Sequence, residues 1–100
     1  MYEVHYTGRV IEHMRGMIVR NPVHARRIIA ALREIDKRLK LYPQFGQPLR
    51  DLTIERGQLW IGTVSPLVIH YVIIEADESG YGREVIVIRP IIAYQRIGMV

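Results

Sequence analysis

Arginine is the residue type with the most chemistry to offer in this sequence. Of 14 basic residues against 10 acidic ones, 12 are arginine. A guanidinium forks onto phosphates and carboxylates through paired hydrogen bonds, so the bias points to nucleic acid or an acidic protein as partner. Arg26, Arg33, Lys37 and Lys40 fall at spacings of seven, four and three, which puts them on one face of a shared helix. Such a row is either a solvated face or a contact for phosphates or an acidic chain. His70 sits inside the apolar run Leu67-Val68-Ile69-His70-Tyr71-Val72-Ile73-Ile74, on the same side as Val68 by strand alternation. A histidine there either moves protons as a general base or packs with a single hydrogen bond. Trp60 reads as a core or interface anchor, or as a platform for stacking a base. His5, His13 and His24 lack ligand spacing and there is no cysteine, so neither a metal nor a cofactor is expected.

These residues must be held by a small α+β domain. Leu67–Ile74 and Val85–Ile88 are two β-branched apolar runs that bracket the polar, glycine-rich Asp77-Glu78-Ser79-Gly80-Tyr81-Gly82, an antiparallel hairpin signal. Neither run alternates apolar with polar, as expected of strands covered on both faces. Tyr2–Tyr6 reads as a short first strand and Thr7 as a helix cap. From Arg9 to Val19 the apolar residues Val10, Ile11, Met14, Met17 and Ile18 recur at helical spacing. Asn21-Pro22 stops that helix and starts another, running from about Pro22 to Leu41 with the stripe Ala25, Ile28, Leu32, Ile35 and Leu39. Tyr42-Pro43-Gln44-Phe45-Gly46-Gln47-Pro48 turns the chain back. Leu49–Ile54 reads as a ragged strand or a loop, Gly57–Val64 as a strand, and Ser65-Pro66 as a turn into the hairpin. Pro90 is expected to end the ladder. The resulting order is β-α-α-β-β-β, a helical hairpin on one face of a small antiparallel-rich sheet, which leaves the other face short of cover.

One hundred residues make one domain. No apolar run reaches the ~20 residues that span a bilayer, and the chain opens on Met1-Tyr2-Glu3-Val4 without a signal-peptide pattern. With no cysteine, a reducing cytoplasmic setting is the expectation.

This arrangement resembles the RelE/ParE superfamily of toxins from type II toxin–antitoxin systems, also known as plasmid stabilisation proteins. The resemblance spans nearly the whole chain. It is carried by the element order, by Leu39, Pro43 and Gly46 around the connector, and by the apolar strand ending in Tyr71. It implies a cognate antitoxin whose acidic or amphipathic segment covers exposed apolar surface, with Arg26, Arg33, Lys37, Lys40, Trp60 and Val68 as antitoxin or nucleic-acid contacts. It also implies a target: the ribosome with its mRNA, or DNA gyrase. RelE-type members cleave mRNA without metal, using cationic side chains and a tyrosine, which the resemblance maps onto Arg89, Tyr94 and Arg96 here, with His70 as a further candidate. Three further positions that carry cations in the family fall on Leu59, Ile61 and Val68. That substitution leaves the ribonuclease machinery incomplete and turns the expectation towards a toxin that acts by binding. A non-toxic basic module that binds nucleic acid or protein, and an oligomer that closes the open face with a copy of itself, are the other readings.

Overall fold

The computed structural model describes residues 1–54, 57–75 and 82–93, with the backbone alone for 50–54. The chain runs β1 (Glu3–His5), α1 (Gly8–Arg20), a 3-10 turn (Pro22–His24), α2 (Ala25–Leu41) and a second 3-10 turn (Pro43–Phe45). Four strands follow: β2 (Gln47–Ile54), β3 (Gly57–Val64), β4 (Leu67–Ile74) and β5 (Glu84–Ile92). The fold is α+β, two helices packed on a five-stranded sheet in the order β1-β5-β4-β3-β2. β1 is parallel to β5 and all other pairs are antiparallel.

Local chemistry sets the helix ends. The Thr7 hydroxyl accepts the Val10 N–H at 3.2 Å, the cap expected for α1. Asn21 acts differently from expectation. Its side-chain amide donates to the Met17 carbonyl at 2.7 Å and so closes α1, while Pro22 opens a 3-10 turn and α2 begins at Ala25. The buried stripe of α2 is Ile28, Ala31, Ile35 and Leu39; Ala25 and Leu32 are only half-buried, because Leu32 turns towards α1.

One core forms, on one side of the sheet. Val10 and Met17 of α1 and the α2 stripe close over Leu67, Ile69, Tyr71 and Ile73 of β4 and Val85 and Val87 of β5. Trp60, Val64 and Phe45 pack at its margin. The connector after α2 is tied to this core by Tyr71, whose hydroxyl donates to the Pro43 carbonyl at 2.6 Å. The Phe45 ring stacks on Tyr71 with centroids 5.9 Å apart, and the Arg38 guanidinium lies 5.3 Å above Phe45. Gly46 is needed here, since a Cβ would fall 2.4 Å from the Ile61 carbonyl oxygen and 2.6 Å from the Tyr71 hydroxyl. Burial pushes the Tyr71 hydroxyl up to about 12.

Of the two readings of Leu49–Ile54 the strand is the one observed, spanning Gln47–Ile54 and paired to β3 with a shift in register between Pro48 and Thr53, so four strands follow the helices where the expected order had three. One expectation fails outright. Pro90 does not end the ladder, for β5 continues through it to Ile92. Its carbonyl accepts the His13 Nε2–H at 2.9 Å, so the missing N–H points to the side of β5 away from β4, where the ladder does not need it.

Candidate functional site

Strand alternation divides the sheet into two faces, and the register fixes their membership. Leu59, Ile61 and Thr63 of β3 lie opposite Val72, His70 and Val68 of β4. Val68 and His70 lie in turn opposite Ile91 and Arg89 of β5. None of these residues belongs to the core cluster. Val72 is buried to 4% exposure among its own neighbours, whereas Ile88 and Ile91 are 46% and 37% exposed. Both helices serve the other face, so an apolar surface of β-branched side chains stands open among the described residues.

His70 and Arg89 are brought together at its centre as directly opposed residues. A bulge makes this possible. Between the pairs His70–Arg89 and Tyr71–Val87, Ile88 is one residue too many, and it rotates Arg89 onto the open face although Val87 points into the core. An exposed guanidinium beside a half-buried imidazole can hold an anion and move a proton. The positions around them are apolar: Val68, Ile61 and Leu59 share the face, so cations cannot gather there from β3 or β4.

The remaining expected site residues are not at this place. Trp60 faces inward opposite Tyr71 and packs against the core. Arg26, Arg33, Lys37 and Lys40 are exposed on α2, on the side away from the sheet, where Lys40 pairs with Asp36 at 2.7 Å. Tyr94 and Arg96 lie outside the described residues.

Arg33 borders a second feature that sequence periodicity did not separate from the core. Ile11, Met14 and Ile18 of α1 meet Ile29 and Leu32 of α2 along a groove of about 440 Å³ on the outside of the helical hairpin. Tyr6 and Asp36 join at its end, with the Tyr6 hydroxyl donating to the Asp36 carboxylate at 2.6 Å. Burial and this bond raise Tyr6. Burial also works to raise Asp36, but the bonds from Lys40 and Tyr6 outweigh it and leave its carboxyl below its ordinary value. The helical layer is the cationic one. Between Gly8 and Leu41 there are nine basic and three acidic residues, against five and seven in the rest of the chain.

Among the described residues no cluster of three or more histidine, cysteine or acidic side chains could hold a metal, and no helix is long and apolar enough to cross a membrane. Comparison with known protein families, with curated proteins and with solved structures finds no match for this chain.

Proposed function

We propose that this chain is the toxin of a type II toxin–antitoxin module of the RelE/ParE kind, silenced by an acidic antitoxin. The observation that carries the reading is the open apolar face of β3, β4 and β5, which the chain's own helices leave uncovered. A disordered antitoxin segment that folds on contact would cover it, with its carboxylates drawn to the cationic helical layer. A helical hairpin after a first strand, followed by antiparallel strands, and the union of the connector with Tyr71 are compatible with the same reading.

Within that reading, growth inhibition by binding is favoured, with DNA gyrase as target. Leu59, Ile61 and Val68 share the open face with His70 and Arg89, so a protein partner finds an apolar seat there and a scissile phosphate finds few cations. Ribosome-dependent mRNA cleavage is the second reading, favoured by the opposed His70 and Arg89, which could move a proton and hold the phosphate.

Pulsed expression in a bacterial host, followed by two assays on purified protein, tests the proposal. Growth arrest with inhibition of gyrase supercoiling is expected, relieved by co-expression of a short acidic protein encoded beside the toxin gene. Cleavage of ribosome-bound mRNA that disappears in Arg89→Ala would replace binding by the ribonuclease reading. Unimpaired growth at full expression would remove the toxin reading altogether.

A further inference from the structure

β1 pairs with Glu84, Val85 and Ile86, and among the described residues no strand lies along that edge of β5 beyond Ile86. α1 runs beside it instead. The furrow between them has two lobes, of about 410 and 200 Å³, which share His13 and Arg89 as walls. Arg9 borders the first lobe and Arg20 the second. On α1 the residues Arg9, His13, Gly16 and Arg20 follow i, i+4, i+7 and i+11, a single face of the helix. Gly16 has a definite use there. A Cβ at this position would come within 2.6 Å of the Arg20 Nη1, so the bare backbone is the seat in which that guanidinium lies back along the helix.

The charged side chains of the furrow are Arg9, Arg20 and Arg89, set among mostly apolar ones, and among the described residues no carboxylate borders either lobe. Arg9, Arg20 and Arg89 have no ion-pair partner among the described residues, whereas Arg15, Arg38 and Lys40 each hold a carboxylate. Two kinds of anionic chain could enter: an acidic peptide adding as a strand to β5, or a chain of phosphates. The edge itself decides between them. In a strand the N–H and C=O of one residue point the same way. Pro90 therefore presents no donor to the furrow, and its carbonyl already accepts the His13 Nε2–H. An incoming peptide strand would lose its ladder in the middle.

We propose that this furrow binds the backbone of a single-stranded nucleic acid, with phosphates on Arg9, Arg20 and Arg89. From Arg9 to Arg20 the helix advances about 16 Å, a reach longer than the spacing between neighbouring phosphates of an extended strand. Exposed Ile88 and Ile91 flank Arg89 and offer apolar surface to unpaired bases, which a duplex keeps stacked inside. This furrow adjoins the seat proposed for the antitoxin and shares Ile88, Arg89 and Ile91 with it, while Arg9, His13 and Arg20 of α1 belong to the furrow alone; its test measures binding alone, independent of toxicity.

Fluorescence anisotropy of a short labelled oligouridylate, titrated with the full chain at several salt concentrations, tests the proposal. Three phosphate contacts predict a log–log salt slope of about −2. The double variant Arg9→Ala, Arg20→Ala should lose roughly tenfold in affinity at low salt and reduce the slope to about −0.7. Arg89→Gln, an exposed strand position that leaves both helix residues in place, gives an independent loss of a few-fold. Arg15→Ala, on another face of the same helix, should change affinity by less than about twofold. Unchanged binding by the double variant overturns the proposal, as does an equal loss in Arg15→Ala. So does a labelled oligoglutamate peptide, or a duplex of similar length, that binds as tightly as the oligouridylate.

Discussion

The two faces of the central sheet are made of the same kind of residue and have opposite fates. Leu67, Ile69, Tyr71, Ile73, Val85 and Val87 point one way and are sealed, none of them more than 3% exposed. Ile61, Val68, Ile74, Ile86, Ile88 and Ile91 are as apolar and remain exposed or half-buried, with Val72 the one buried side chain among the described residues of that face. Composition does not distinguish these sets; position relative to the helical hairpin does. A chain of 100 residues with two helices can cover one face of a five-stranded sheet. Apolar side chains on the second face lie outside the chain's core cluster, and the proposed function gives them a use in binding.

Substitutions that compare the faces break or sharpen this contrast. Tyr71→Ala should have the largest effect, a loss of about 3–5 kcal/mol in urea unfolding, because a buried ring, its stacking on Phe45 and its bond to Pro43 go together. Val68→Ala, its near neighbour on the open face, should cost less than about 1 kcal/mol. Equal losses at the two positions would mean that the second face is sealed after all.

Gly46→Ala comes next, with about 1–3 kcal/mol expected, since the added methyl meets the Ile61 backbone and not a side chain that can turn aside. A midpoint unchanged in urea would show that the connector is not locked onto β4. Alkaline titration examines the same lock. The Tyr71 hydroxyl is raised from 10 to about 12 in the folded chain, so its contribution is complete below pH 10 and disappears as pH rises through about 12. Tyr6, raised as well, acts in the same direction. The share of Tyr71 is therefore the part of the alkaline loss, followed by circular dichroism, that is absent from Tyr71→Phe.

The smallest effect has the opposite sign. Gly16→Ala should stabilise the chain by about 0.5–1 kcal/mol, as alanine suits a helix better and only the flexible tip of Arg20 is in the way. The same variant displaces that guanidinium from its seat. Thermal unfolding should therefore improve while oligouridylate binding weakens, a separation that purely structural glycine would not produce.

Much of the fold is legible in the sequence because short-range chemistry decides it. The Thr7 cap, the apolar periodicity of both helices and the β-branched runs of β4 and β5 all lead to the elements observed. The rest has tertiary causes. Leu49–Ile54 reads as either a ragged strand or a loop, and pairing with β3 decides for the strand and extends it back to Gln47. Pro90 is tolerated within β5 because its N–H position faces away from the β4 ladder. Leu32 shares the period of the α2 core stripe, yet the angle of the hairpin turns it to the groove.

The site is less legible for the same reason. Alternation from Val87 would put Arg89 in the core, and only the bulge at Ile88 delivers it to His70. Arg9, His13 and Arg20 are visible as a helical row, but what they face is set by the shortness of β1, a property of the assembled sheet.

The central claim is that the open face serves a partner and not the fold. The triple variant Ile61→Ser, Val68→Ser, Ile88→Ser tests it most directly, with urea unfolding and growth arrest measured on the same protein. The account predicts an unfolding free energy within about 1 kcal/mol of the unmodified chain, together with loss of growth arrest. A collapse in stability comparable to Tyr71→Ala, or full growth arrest by a stable triple variant, would contradict it.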